Sequence, residues 1–372
     1  MNPQYLITDT SNIFTPALVF YKEIIAGNIA HCLKMAKSAG RLRPHIKTHK
    51  TREIVGMKMA AGIRKFKCAT MAEAEMLAEC DAKDVLLAYS IVGPNARRVA
   101  NLVKSYPQSS FSVLVDHPVA ASALSQTMTE AGQTVGVYLD IDVGQHRTGI
   151  AAGPSAAALY EQVVRLPGLT ACGLHVYDGH NHQGQLSERK AAVEQQIQPV
   201  LQMRTELEGN GLAVPTIVAG GTPTFPVYAE MDIPGLECAP GTCILHDRGY
   251  GNYFGDMGGF VPAALLLTRV ISIPTDTRIT LDLGYKAIAS DPPAEKRCEI
   301  LNIPDAKLVL QNEEHLVVET SAANQFSPGS EVYAVPWHIC PSCALHQQAY
   351  VIEGGKMVDS WKIASRDRMI TV

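Results

Sequence analysis

Short apolar segments alternate with longer segments of helical periodicity from about residue 15 to residue 250. This alternation constrains the fold most, because strands separated by helices favour a parallel sheet with helices on its faces. Helical spacers are predicted at about 25–36, 50–60, 71–80, 94–105, 117–131, 154–166 and 185–210. The predicted strands are ALVF (17–20), PHIK (44–47), KFKCA (65–69), DVLLAY (84–89), FSVLVD (111–116), VGVYLDID (135–142), LTACGLHVY (169–177) and PTIVAG (215–220).

Eight strands with nearly continuous apolar character suit a parallel sheet that is buried on both faces, and the count predicts a closed, TIM-like (β/α)₈ barrel. After residue 260, strand-like segments follow one another with Pro, Gly, Asn and Asp turns and no long helical spacer, which predicts an all-β domain. We therefore expect a barrel over residues 15–255 and a C-terminal β domain over residues 256–372. Residues 1–14 precede the barrel, and we expect them to join the β domain.

Composition narrows the classes of partner. The formal net charge is −4, no block of like charge occurs and no apolar run is long enough to span a bilayer, which disfavours nucleic-acid and membrane partners. A small-molecule substrate is expected instead. The N-terminal sequence has no signal-peptide pattern, so we expect a cytoplasmic protein whose nine cysteines are mostly plain buried thiols.

Polar residues follow three of the predicted strands, at the ends where a parallel barrel carries its active site. Lys47 ends the strand in RPHIKTHK, Arg147 lies in DVGQHRTGI and Tyr177 begins YDGHNH. A lysine at a strand end is suited to nucleophilic attack on a carbonyl carbon, although a solvated basic loop is the alternative interpretation. His180 and His182 indicate either a metal site or ordinary hydrogen-bonded structure.

A glycine-rich turn, AGGTPT, follows the last predicted barrel strand. Glycines at such a turn let backbone N–H groups approach an anion, and a threonine hydroxyl adds a donor, which is an arrangement that binds one phosphate group. The turn lacks the spacing of dinucleotide and nucleoside-triphosphate motifs. The residues of this predicted phosphate site are Gly220, Gly221 and Thr222.

The segment WHICPSCALH contains His338, Cys340, Cys343 and His346 within ten residues. Three interpretations are open: a structural zinc site with all four side chains as ligands, a redox Cys-x-x-Cys pair, or part of a catalytic centre. A redox pair should open a helix within a strand-helix-strand unit, and a four-ligand zinc site usually draws a second pair of ligands from elsewhere in the chain.

A strand-end lysine, a phosphate-binding turn, an arginine and a tyrosine together form the set of groups that pyridoxal phosphate requires. On these motifs the sequence resembles the fold-type III pyridoxal-phosphate enzymes of the D-threonine aldolase and D-serine dehydratase family. The resemblance spans nearly the whole chain, through TPALVF (15–20), RPHIKTHK, DVGQHRTGI, YDGH, GGTPTF, PGT (240–242), DLGYKA (282–287) and HICPSCALH.

The resemblance implies an alanine racemase-like barrel, a C-terminal β domain and a homodimer. By position, Lys47 matches the lysine that bonds to the cofactor, and Arg147 matches the arginine near the cofactor's phenolic oxygen. Tyr177 is similar to the tyrosine that approaches the pyridine ring. The residues that match the phosphate-binding turn are Gly220, Gly221 and Thr222.

The resemblance also implies that His338 and Cys340 hold a divalent metal beside the cofactor. The aldolases have His-x-Asp at this position and the dehydratases have His-x-Cys, so Cys340 favours a dehydratase that converts D-β-hydroxy amino acids such as D-serine to a 2-oxo acid and ammonia. A thiolate ligand favours zinc, whereas manganese or magnesium suits a carboxylate. Aldol cleavage to glycine and an aldehyde is the alternative reaction; a racemase and a non-catalytic pyridoxal-phosphate-binding protein are less favoured.

Overall fold

The structure, a computed structural model, describes all residues from Met1 to Val372. Its strands are β1 (Ala17–Tyr21), β2 (Lys65–Cys68), β3 (Asp84–Ser90), β4 (Ser110–Val115), β5 (Val135–Asp142), β6 (Ile150–Ala151), β7 (Leu169–Val176), β8 (Thr216–Ala219), β9 (Leu236–Cys238), β10 (Ala264–Thr275), β11 (Arg278–Leu281), β12 (Cys298–Ile300), β13 (Lys307–Gln311), β14 (Leu316–Glu319), β15 (Glu331–Pro336), β16 (Gln348–Glu353) and β17 (Lys356–Lys362). Its helices are α1 (Lys22–Ala36), α2 (Arg52–Ala60), α3 (Met71–Glu79), α4 (Asn95–Ser105), α5 (Pro118–Glu130), α6 (Pro154–Arg165), α7 (Leu186–Gly209), α8 (Phe225–Glu230), α9 (Arg248–Tyr253) and α10 (Ile339–Leu345). No helix combines the length and the apolar character that crossing a membrane requires.

Every predicted helical spacer forms a helix, α1 to α7.

The chain divides into two compact units, each assembled from separate stretches of sequence. The barrel unit comprises residues 32–47, 55–241 and 367–372, and the β unit comprises residues 1–31, 48–54 and 242–366. This division differs from the expected bounds 15–255 and 256–372.

The barrel unit is built on a parallel sheet in the order β2-β3-β4-β5-β7-β8-β9, with the short β6 beside β5. Residues 42–46 connect its two edges by single bridges, because Leu42 pairs with Cys238 of β9 and His45 pairs with Lys67 of β2. Backbone hydrogen bonds of 2.9 Å from Arg43 to Cys238 and from Ile46 to Lys67 support both bridges. The sheet is therefore a closed ring of strands, and the predicted TIM-like barrel is confirmed.

Local sequence explains how the helices of the barrel start. In α3, the Thr70 hydroxyl accepts a hydrogen bond from the backbone N–H of Glu73 at 3.2 Å, and the Glu73 carboxylate accepts one from Ala69 at 2.7 Å. These bonds satisfy N–H groups that have no partner inside the helix. Pro118 and Pro154 stand at the first positions of α5 and α6, where a missing N–H costs nothing.

The β unit contains a sheet in the order β13-β14-β11-β10-β1-β16-β17, in which β15 joins β10 to β12. Strand β1 runs antiparallel to β10 and parallel to β16. Tyr5, Ile7 and Ile13 of the N-terminal segment pack with β1 and β10 in the core of this unit.

The prediction of ALVF (17–20) as the first barrel strand is wrong, since this strand belongs to the β unit. All five residues of β1 are buried, and a fully buried strand has the same apolar pattern in either sheet. The eighth position of the ring is filled instead by β9, which the sequence did not reveal. Strand β9 has only three residues, and its Glu237 is charged and buried in an ion pair with Arg43 (2.6 Å).

Candidate active site

Side chains at the carboxyl ends of the barrel strands surround one cavity of ≈ 600 Å³. Lys47 follows the bridging segment 42–46, while Lys67, Asp140 and His175 come from β2, β5 and β7. Arg147, Tyr177 and Arg368 also line this cavity. Its volume lies within the roughly 300–1,000 Å³ that is typical of small-molecule sites.

Tyr177 is the centre of a cluster of cations in this cavity. The distance from its ring centre is 5.9 Å to Lys47 Nζ, 5.4 Å to Lys67 Nζ and 5.0 Å to Arg147 Cζ. Each cation is close enough to the ring for a cation–π interaction. The structure thus brings together Lys47, Arg147 and Tyr177, which were chosen from three separate segments of sequence.

A buried acid-imidazole pair lies in the cavity wall. His175 Nδ1 is 2.6 Å from Asp140 Oδ1, and Asp140 Oδ2 accepts a hydrogen bond from the Thr148 hydroxyl at 2.9 Å. Burial raises the pKa of Asp140, but the pairing with His175 outweighs burial and keeps this pKa below its usual range. Burial and the charge of Lys67 lower the pKa of His175, so the imidazole is neutral and donates its Nδ1 proton to Asp140.

The neutral His175 ring leaves Nε2 as a hydrogen-bond acceptor. This atom is buried and has no partner within the protein, which costs free energy unless a ligand supplies a donor. An unsatisfied acceptor in the wall of the cavity indicates that the cavity is shaped for a polar ligand. Sequence patterns did not single out His175 or Asp140, although both stand at the ends of apolar strands.

Lys67 is a second lysine of this cavity that sequence reasoning missed. Its side chain is 3% exposed, and it lies on β2 between the buried Phe66 and Cys68. Burial and the charge of Lys47 lower the pKa of the Lys67 ammonium to about 7, although Asp140 and Asp178 oppose the change. A charged residue inside a buried strand was the available sequence signal.

The predicted phosphate turn lies beside Tyr177. Gly220 has a φ of +75°, and a Cβ there would lie 2.7 Å from Tyr228 Cδ2, so a larger residue would be strained and would clash. A Cβ on Gly221 would lie 3.0 Å from Tyr177 Cε2. The Thr222 hydroxyl accepts a hydrogen bond from the Gly241 N–H at 3.1 Å. The turn therefore needs its glycines for close approach.

The buried carboxylate of Asp178 is connected to this turn by hydrogen bonds through Thr224. The Gly221 N–H donates to Thr224 Oγ1 at 3.2 Å, and the Thr224 hydroxyl donates to Asp178 Oδ1 at 2.8 Å. Asn181 and Gln196 also donate to Asp178, at 3.3 and 2.8 Å. Thr224 and Asp178 are thus positioning residues for the turn, which the sequence did not reveal.

His338 and Cys340 lie at the start of α10 in the β unit. Asp291 Oδ2 is 2.5 Å from His338 Nδ1, and Cys340 Sγ is 3.1 Å from the Thr48 hydroxyl and 3.5 Å from the Thr242 hydroxyl. A carboxylate behind a histidine is typical of metal ligands, because it fixes the orientation of the ring.

The electrostatics of this pair favour a thiolate at Cys340. Burial raises the pKa of the Cys340 thiol, but His338 and the two threonine hydroxyls outweigh burial and bring this pKa below its usual range. Burial lowers the pKa of His338, yet hydrogen bonding to Cys340 and Asp291 raises it to about 9. A thiolate is the form of cysteine that binds metals.

The other two residues of the segment, Cys343 and His346, have different surroundings from His338 and Cys340. The Cys343 side chain is fully buried, and burial raises the pKa of its thiol well above the usual value. His346 Nε2 is 2.7 Å from the carbonyl oxygen of Ala287, to which it can donate. No group of three or more His, Cys, Asp and Glu side chains is arranged to hold a metal. A zinc site with four protein ligands is therefore not formed, and a metal on His338 and Cys340 would need water or substrate as further ligands.

The histidines of the YDGHNH segment have a different setting. His180 lines a separate cavity of ≈ 490 Å³ in the barrel unit, together with Asp142 and Gln196. Its Nδ1 atom is buried without a partner.

Comparison with known proteins places this fold and site in a class. Residues 22–245 match the family described as alanine racemase, N-terminal domain, and residues 263–352 match the putative serine dehydratase domain. The chain is 31% identical to a D-threonine aldolase of an Arthrobacter species over 333 residues, which cover 87% of this chain and 85% of that one. It belongs to the alanine racemase-like pyridoxal-phosphate enzymes.

Two solved structures share this fold. A D-threonine aldolase from Filomicrobium marinum has 26% sequence identity, covers 97% of this chain and 98% of its own, and superimposes with a TM-score of 0.89. A D-threo-3-hydroxyaspartate dehydratase, solved as a Cys-to-Ala variant in the metal-free form, has 22% identity, coverage of 94% and 97%, and a TM-score of 0.84. Within the class, the chain is a member of the lyase family that contains D-threonine aldolases and D-serine and hydroxyaspartate dehydratases, as the sequence motifs predicted.

Proposed function

We propose that this protein is a pyridoxal-phosphate- and divalent-metal-dependent lyase of D-β-hydroxy amino acids, and that it removes water to give a 2-oxo acid and ammonia. The observation that carries the choice of reaction is the Cys340 thiol beside His338, where the aldolase pattern has a carboxylate. The cofactor and the metal are those expected of the family, and the geometry of the two sites supports the residues proposed to hold them.

The residues of the barrel unit fit the cofactor. Lys47 offers an amine for its aldehyde, Arg147 a cation for its phenolic oxygen, and Tyr177 a side chain against its ring. Gly220, Gly221 and Thr222 would form the turn that holds its phosphate, where the glycines carry no side chain that would block close approach. The unpartnered Nε2 atom of His175 supports a polar occupant.

The bound cofactor would supply a conjugated ring that stabilises negative charge at the substrate's α-carbon. Lys47 would then accept the α-proton at Nζ, because its amine stands at the mouth of the barrel beside Tyr177. The Asp140–His175 pair would hold a fixed acceptor in the cavity wall, and Lys67 would place a second amine beside Tyr177.

His338 and Cys340 would hold a divalent cation, and Asp291 would orient the His338 ring. A cation there would supply Lewis acidity to the substrate's β-hydroxyl group and make it a better leaving group. The thiolate favours zinc over manganese and magnesium. Two protein ligands leave coordination positions for water and substrate, as catalytic sites require.

The alternative reaction is aldol cleavage to glycine and an aldehyde. It is favoured by the 31% identity to a D-threonine aldolase, which exceeds the 24% identity to the D-threo-3-hydroxyaspartate dehydratase of Delftia species strain HT23. Both reactions start from the same groups. They differ in whether the β-hydroxyl leaves or loses its proton.

Product analysis tests the proposal. The purified protein, loaded with pyridoxal phosphate and zinc, is incubated with D-serine, D-threonine and D-threo-3-hydroxyaspartate. We expect a 2-oxo acid with ammonia, and glycine with an aldehyde would establish the alternative. The Lys47→Ala variant should lose both turnover and the visible absorption of the bound cofactor; a wild-type protein that stays colourless after reconstitution would contradict the cofactor assignment.

We also propose a homodimer in the cytoplasm. The exposed apolar side chains of Tyr89 and Val92 at the cavity support the dimer, because such residues are commonly covered by a partner. The nine free cysteines support a reducing compartment. Sedimentation of the purified protein tests the oligomeric state.

A further inference from the structure

The C-terminal tail, residues 367–372, belongs to the barrel unit although the residues before it belong to the β unit. Glu75 of α3 accepts hydrogen bonds from the backbone N–H groups of Thr371 (3.1 Å) and Val372 (3.4 Å). Arg98 of α4 donates to the carbonyl oxygen of Arg368 (3.1 Å) and to a main-chain oxygen of Val372 (2.7 Å). A carboxylate thus holds the N–H groups of the tail and a guanidinium holds its main-chain oxygens.

The hydrogen bonds between Glu75 and the tail stabilise the fold. Glu75 is fully buried, and a buried carboxylate is stable only when hydrogen bonds replace its water. Apart from the Tyr106 hydroxyl at 3.3 Å, its donors come from Thr371 and Val372 of the tail. The tail is therefore held in place, because the buried Glu75 carboxylate requires the hydrogen bonds that the tail donates.

The fixed tail delivers Arg368 to the proposed substrate cavity. The Arg368 side chain is exposed and lines the same ≈ 600 Å³ cavity as Lys47, Arg147 and Tyr177. Its anchoring bond runs through its backbone carbonyl, so the guanidinium is free to bind a ligand. Arginine binds carboxylates through two parallel hydrogen bonds.

The charges around this cavity do not balance. Four basic side chains line it, and Asp140 is its one carboxylate. If the proposed function is correct, the cofactor occupies Lys47 and Arg147, which leaves Lys67 and Arg368. The Arg368 guanidinium has no carboxylate partner within the protein, so it remains available for a second carboxylate of a ligand.

We propose that Arg368 binds a carboxylate on the side chain of the substrate, so that acidic D-β-hydroxy amino acids are preferred to neutral ones. This inference rests on the proposed function and adds the substrate class. Arg368 suits this role better than Lys67, because it lies on the exposed tail and can reach substrate side chains of different lengths. Lys67 lies in the barrel wall.

Binding of D-aspartate and D-alanine to the cofactor-loaded protein tests the proposal without relying on turnover, because neither ligand has a β-hydroxyl group. Affinities are measured from the change in the visible absorption of the cofactor. We expect D-aspartate to bind roughly tenfold more tightly than D-alanine, as suits one charged hydrogen-bonded pair at an exposed site. Arg368→Gln should reduce the ratio to about one, and Arg368→Lys should retain part of it.

Arg97→Gln is the matched control, since it removes the same charge from an exposed position on α4 that does not line the cavity. This control should keep the preference for D-aspartate. A wild-type protein without the preference, or an Arg368→Gln variant that keeps it, would overturn the inference.

Turnover of D-3-hydroxyaspartate and D-threonine separates the two proposals. Lyase activity combined with no effect of Arg368→Gln on the D-aspartate preference would refute the role of Arg368 alone. A preference for D-aspartate that depends on Arg368, in a protein that cleaves no D-β-hydroxy amino acid, would refute the lyase proposal and leave the carboxylate site standing.

Discussion

Replacement of Lys67 by methionine should stabilise the cofactor-free protein, and the gain should depend on pH. Burial, together with the charge of Lys47, brings the pKa of Lys67 from 10.5 to about 7. This difference corresponds to a cost of about 5 kcal/mol for the fully charged amine, and of about 4 kcal/mol at pH 7, where the folded protein binds half a proton. Methionine has a similar length and carries no charge, so it removes this cost while filling the same space.

The sign follows from proton counts. Between pH 7 and 10.5 the unfolded chain binds the Lys67 proton and the folded protein does not, so the stability of the wild type increases with pH across this range. Below pH 7 the full cost is present. The advantage of the Lys67→Met variant should therefore be largest at pH 6 and nearly vanish at pH 10.

Thermal melting of the cofactor-free proteins at pH 6 and pH 10 measures this effect. A gain of a few kcal/mol would raise the melting midpoint of the variant by several degrees at pH 6. Lys104→Met, at an exposed position at the end of α4, is the matched control and should show no such dependence. A Lys67→Met variant that melts below the wild type at both pH values would refute the reasoning.

Three further predictions concern the two sites. Cys340→Ala should abolish zinc binding, measured by metal analysis, and leave the visible absorption of the cofactor intact, whereas Cys343→Ala should retain both; equal loss of zinc from both variants would indicate a structural cluster instead. Zinc affinity, measured by calorimetry, should rise as the pH increases towards about 9, because His338 has a raised pKa of about 9 and must lose its proton to bind the metal; a flat profile would contradict the assignment. Thr224→Val should weaken affinity for pyridoxal phosphate roughly tenfold by breaking the bond between Gly221 and the Asp178 network; unchanged affinity would show that the turn holds its shape without that bond.

The barrel could be predicted from sequence because its helices show a clear period and its strands are short, apolar and regularly spaced. The placement of β1 could not, since a strand buried on both faces looks alike in a parallel and in a mixed sheet. Strand β9 was missed for the opposite reason. Its Glu237 is polar, and only the long-range ion pair with Arg43 makes it compatible with burial.

The residues of the candidate site also fall into two groups, those that the sequence revealed and those that it did not. Lys47, Arg147 and Tyr177 lie in loops after strands, where polar residues are easily recognised because the preceding strands are apolar. Lys67 and His175 stand inside apolar strands, and their roles depend on which face of the strand points into the barrel. Arg368 could not be foreseen at all, because its position depends on Glu75 and Arg98, which are far away in sequence.

The way in which residues 42–46 close the barrel has a consequence for assembly. This segment is the seam where the ring closes: one bridge and two backbone hydrogen bonds hold it at each edge, and it leads directly to Lys47. A cofactor bonded to Lys47 and held by the turn after β8 would act as a cross-link over that seam. Binding of the cofactor would then stabilise the closed ring as well as fill the active site, so the stability of the barrel would depend on the concentration of the cofactor.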